Sequence, residues 1–75
     1  MIEIATLKGE RYSFDPDTQR IFKDGILIPD SEAEPVFSEL ESGEPEFSGI
    51  YLKRTNQVVS RSGKINTIVD PNNMS

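Results

Sequence analysis

Turn-forming residues cut both ends of this sequence into pieces too short for ordinary helices. Lys8-Gly9, Asp15-Pro16-Asp17-Thr18, Lys23-Asp24-Gly25, Thr55-Asn56 and Arg61-Ser62-Gly63 each combine residues that tolerate left-handed backbone or fix φ for a turn. The runs between them are β-branched, aromatic or alternating, so they read as strands. Residues 1–14 predict a hairpin, with Ile2, Ile4 and Thr6 on one face and Tyr12 and Phe14 on the far arm. A three-residue loop over 8–10 would set Ile4 opposite Phe14 and Thr6 opposite Tyr12. Residues 19–22 and 26–28 add two more short strands, the last stopped by Pro29.

The second meander spans residues 47–69. A strand over 46–54, a two-residue turn at 55–56, a strand over 57–60, a three-residue loop at 61–63 and a strand over 64–69 fit one register. That register pairs Leu52 with Val59 and Val59 with Ile65, with Gly63 left-handed in the loop. Leu52, Val59 and Ile65 then form an apolar row with Ile50 beside it. Residues 71–75 are a polar tail.

The middle differs in kind. Residues 30–46 carry seven acidic side chains and no basic one. Pro35 suits a first helical position, Val36, Phe37 and Leu40 share a helical face, and Gly43 suits the stop. This pattern predicts a short helix over 35–42, with a solvated acidic linker as the alternative. The fold class expected is mainly β: one domain over 1–70, a small antiparallel sheet or barrel of five to seven short strands, with that helix closing one side.

The 75 residues include no Cys, His or Trp. Absent Cys excludes disulfides and thiolate metal sites, and absent His removes the usual general base near neutral pH. Asp15 and Asp17 lack the partners of a calcium loop, since Gln19, Arg20 and Ile26 stand where its other key residues would be. No phosphate-binding glycine loop is present. These absences predict a non-enzyme with no cofactor and no metal. No apolar run is long enough to span a membrane, and residues 1–20 show no signal-peptide pattern, so a cytoplasmic setting is expected.

Charge is distributed unevenly. Residues 1–46 hold 12 acidic and four basic groups, net −8; residues 47–75 hold one acid and four bases, net +3. Two surfaces follow. The acidic one, Glu34, Phe37, Glu39, Glu41 and Glu44, has the acidic–hydrophobic composition of partner-docking segments and would suit a basic protein partner. A spaced row of carboxylates can also imitate a phosphate backbone, as in small phage inhibitors of DNA-binding proteins. The basic one, Tyr51, Lys53, Arg54, Arg61 and Lys64, clusters around two turns and would suit an anionic partner, nucleic acid included. The acidic stretch is expected to lie over the basic strands and neutralise them, or else to meet the basic half of a second copy. The leading expectation is a protein-binding module, an accessory subunit or inhibitor docking by its acidic face. A homo-oligomeric structural protein and a weak polyanion binder are the alternatives.

Residues 9–22, Gly-Glu-Arg-Tyr-Ser-Phe-Asp-Pro-Asp-Thr-Gln-Arg-Ile-Phe, resemble one copy of the tyrosine–aspartate repeats of large β-cage proteins. Those repeats place Gly where Gln19 stands. The resemblance implies a tight hairpin turn and no particular function.

Overall fold

The computed structural model describes residues 1–68. They form eight strands: β1 (Ile2–Ala5), β2 (Arg11–Asp15), β3 (Arg20–Lys23), β4 (Ile26–Ile28), β5 (Ala33–Glu39), β6 (Pro45–Leu52), β7 (Gln57–Ser60) and β8 (Ile65–Thr67). β1 to β4 make one antiparallel sheet and β5 to β8 a second, each with its strands in chain order. The mainly β class holds. The single sheet or barrel of five to seven strands is replaced by two four-stranded meanders, and no helix forms among the described residues. The expected last strand ends at Thr67; Val69 and the tail over 71–75 lie outside the described residues.

The largest correction falls on residues 35–42. They belong to β5 and to the loop that joins it antiparallel to β6, with Ala33 opposite Leu52, Phe37 opposite Phe47 and Glu39 opposite Pro45. Gly43 is left-handed (φ 86°), as the last residue of a hairpin loop instead of a helix stop. A two-turn helix is marginal alone, and Val36 and Phe37 favour a pleated surface. As a strand, the segment buries Ala33 and sets Phe37 against the core, which a helix here would have to achieve against seven like charges.

Two registers also differ from expectation. The first hairpin loop is Leu7-Lys8-Gly9: the Thr6 N–H donates to the Glu10 carbonyl (2.8 Å) and the Gly9 N–H to the Thr6 carbonyl (3.0 Å). Ile4 therefore faces Tyr12 and Ile2 faces Phe14. The reason is the left-handed third loop position, which Gly9 fills (φ 90°) and which the expected loop would have given to Glu10. Between β6 and β7 the turn takes residues 53–56 and ends on left-handed Asn56 (φ 56°), so Val59 opposes Ile50, and Leu52 opposes Gln57. Both slips are even-numbered, so every side chain keeps its expected face. The pairing of Val59 with Ile65 around the 61–63 loop is as expected.

The turn over 16–19 repeats the 53–56 geometry. Gln19 is left-handed (φ 58°) at the place where the tyrosine–aspartate repeat has Gly. Asp15 accepts the Asp17 N–H at 3.0 Å, so Asp15 is a turn-former. Asp24 and Gly25, both at positive φ, make the two-residue turn between β3 and β4.

Both sheets contribute to one core: Ile4, Tyr12, Phe14 and Ile21 from the first, Ala33, Phe47, Ile50 and Val59 from the second. Phe14 stacks on Phe47 with centroids 4.4 Å apart and planes 3° apart. Phe37 meets both edge-on, at 6.0 and 6.2 Å. This trio ties the β5–β6 hairpin to the first sheet. On β6, Ser48 is an extra residue in a bulge between Val36 and Phe37, and its Oγ donates to the Val36 carbonyl (3.1 Å).

Candidate functional site

Four of the five residues expected on the acidic surface meet at one place. Phe37 and Glu39 are two apart on β5 and so share a side of the sheet. Glu41 opens and Glu44 follows the three-residue loop over 41–43, closed by the Leu40 N–H on the Glu44 carbonyl (2.9 Å) and the Gly43 N–H on the Leu40 carbonyl (2.8 Å). Glu34 is separate. It lies at the other end of β5, on the opposite face, beside Lys53. Leu40, expected on one helical face with Val36 and Phe37, joins the tip instead. Phe37 is 44% and Leu40 43% exposed, both large for apolar side chains.

The basic surface is largely matched within the same sheet. The Lys53 ammonium lies 3.5 Å from Glu34 and donates to the Asp30 carbonyl at 2.7 Å. Arg54 reaches Glu32 (3.6 Å) and Arg61 reaches Glu46 (3.5 Å). The acidic stretch thus does not lie over the basic strands as a separate layer; it forms β5 and the start of β6 and meets those cations at the strand ends. Such exposed pairs add little stability. What they do is consume the acidic charge near the turns. Among the described residues, Lys64 forms no ion pair, and neither do Glu39, Glu41 or Glu44. Tyr51 donates its hydroxyl to Asn56 Oδ1, and the Asn56 amide donates to the Ile68 carbonyl (2.7 Å), so the phenol end is tied to the turn.

In the first sheet, Lys23 bonds Glu10 at 2.7 Å. That bond holds the Glu10 carboxyl below its usual range and the Lys23 ammonium above its own. Burial pushes the Tyr12 phenol up. The Asp17 and Thr18 backbone amides hold Asp15 below its usual range. These are the marks of a staple and a turn.

A groove of about 690 Å³ runs beside β4 and the start of β5, with Arg20, Asp30, Glu34 and Lys53 on its walls. Its charges are mixed and partly spent on each other. Among the described residues, no group of three or more carboxylates gathers closely enough to hold a metal ion. No helix among them is long and apolar enough to cross a membrane.

The geometry defines a small two-sheet β protein with an acidic tip on its β5–β6 hairpin. No protein-family model, curated protein or solved structure matches the chain.

Proposed function

We propose that this chain is a non-catalytic protein-binding module. It docks by the β5–β6 hairpin on a basic surface of a larger protein, as an accessory subunit or a small inhibitor in a cytoplasmic setting. The observation that carries this reading is the tip itself. Glu39, Glu41 and Glu44 keep unmatched charge beside half-exposed Phe37 and Leu40, while the strands next to the tip are held to the first sheet by the Phe14–Phe47 stack. That anchoring spares the ordering cost that a disordered acidic segment would meet on binding. Polar charges give orientation and association rate, and the apolar pair supplies area to bury. A carboxylate row that imitates nucleic-acid phosphates, as in a phage inhibitor, is a special case of the same docking.

The basic residues support an anionic partner less well. Lys53, Arg54 and Arg61 would each have to exchange a carboxylate already beside them for a phosphate. Self-assembly of acidic half on basic half faces the same exchange.

The test is a charge reversal at the tip. Glu39→Lys combined with Glu41→Lys is expected to leave the thermal midpoint within a few degrees, because neither residue is buried or paired. Used as bait beside the unaltered chain in an extract, with captured proteins quantified by mass spectrometry, the reversed chain should lose its specific partner by tenfold or more. Equal capture by both chains would refute docking through the tip.

A further inference from the structure

The β5 strand is the outer edge of its sheet, and its backbone groups alternate in direction. The Leu40 N–H donates to Glu44, and the Glu32 and Val36 carbonyls accept from the Lys53 N–H (2.8 Å) and Ser48 Oγ (3.1 Å), all on the β6 side. The Glu32 and Ala33 N–H groups both donate to the Pro29 carbonyl (2.9 and 3.2 Å), in the turn that leads into β5. From the antiparallel pairing with β6, even-numbered residues from 34 to 40 direct their backbone at β6, and odd-numbered ones direct it outward. Pro35 holds an odd position, where an edge strand tolerates a residue without an N–H. Pro45, opposite Glu39, likewise sits at a pair that exchanges no ladder bonds. The N–H and C=O of Phe37 and of Glu39 are thus left facing outward, with no strand paired to them among the described residues.

We infer that the hairpin takes its partner by strand addition: an extended basic segment of another protein pairs with β5 along Phe37 to Glu39. This inference rests on the docking reading above and names how that docking is made. An open edge supplies main-chain bonds, and side chains on alternate positions supply selectivity. Phe37 and Glu39 face the same side, so the incoming strand is matched by an apolar residue beside Phe37 and a Lys or Arg two positions away, beside Glu39 and within reach of Glu41 and Glu44. Pro35 offers a carbonyl and no donor, which ends the pairing there and fixes its register. A second copy is a poor occupant of this edge, because β5 against β5 brings carboxylates against carboxylates.

The probe is a synthetic ten-residue peptide in which Val and Lys take turns at every second position with Thr between them, so that both lie on one face two residues apart, titrated into isotope-labelled protein and followed by amide NMR. Strand addition predicts shifts centred on the Phe37 and Glu39 amides. It also predicts that N-methylating one alternate set of peptide nitrogens weakens binding by tenfold or more, while methylating the other set changes it less than threefold. Glu39→Gln with Glu41→Gln and Glu44→Gln should weaken the unmethylated peptide comparably. If the triple variant loses binding and neither methylated set does, strand addition is overturned and charge-based docking stands. Amides at 37 and 39 that do not move at millimolar peptide overturn the inference. So does a concentration-dependent doubling of mass that the peptide does not compete.

Discussion

Phe14→Ala is expected to cost about 3–5 kcal/mol, the usual range for an aromatic lost from a packed core. Phe14 is 1% exposed and is the one side chain of the first sheet that stacks on Phe47 and meets Phe37. Its loss empties the joint between the sheets, and domains of this kind hold only about 5–15 kcal/mol in all. For 60–100 residues each kcal/mol moves the thermal midpoint by about 4–8 °C, so a fall of at least roughly 12 °C should be seen. The chain has no Trp, so far-ultraviolet circular dichroism or tyrosine emission is the probe. Phe14→Leu keeps most of the volume and should lose clearly less. A cost below about 1 kcal/mol for Phe14→Ala would mean that the two sheets do not share this core.

Gly63→Ala is the second large effect. Gly63 has φ 92°, and a Cβ built on it would lie 2.2 Å from the Ala5 carbonyl oxygen and 3.3 Å from its carbon. Those are backbone atoms of the other sheet, so the loop or β1 must shift. Gly43 has a similar φ, 86°, with nothing within 4 Å of such a Cβ. Left-handed backbone alone costs an L-residue about 1–2 kcal/mol, and Gly43→Ala should show only that. Gly63→Ala should cost roughly 2 kcal/mol more, because an overpacked contact adds about 1–3 kcal/mol. Urea unfolding of both variants isolates the contact between the 61–63 loop and β1. Equal costs would remove it.

The parts of this fold legible in the sequence are those fixed by local backbone chemistry. Gly63 could hold only the left-handed end of a three-residue loop, and the register of β7 on β8 followed. The same rule applied to Gly9 gives the observed first hairpin, whereas a loop centred on Gly9 does not. Asn56 was misplaced because it ends a four-residue turn, and its left-handed tendency alone does not give the turn length. Residues 35–42 were illegible for a different reason. Val36, Phe37 and Leu40 satisfy a helical face, while the alternation of Ala33, Pro35 and Phe37 is masked by proline and charge. What decides for a strand is Phe47 across the hairpin and Phe14 in the other sheet, and neither is local. Of the site, the acidic charge and Phe37 were visible. The exposure of Leu40, the separation of Glu34 and the open edge required the pairing of β5 with β6. The charge split was legible as well, but its internal matching at Lys53, Arg54 and Arg61 depended on where the turns fell.

Docking and strand addition both require that residues 33–39 form an edge strand with an alternating backbone. Amide hydrogen exchange of the free protein, read residue by residue by NMR, tests this most directly. Protected amides are expected at Val36, Ser38 and Leu40, which face β6, and fast exchange at Phe37 and Glu39, which face outward. Protection continuous from Phe37 through Leu40, as in a helix, or fast exchange at all five, as in a solvated linker, would contradict it.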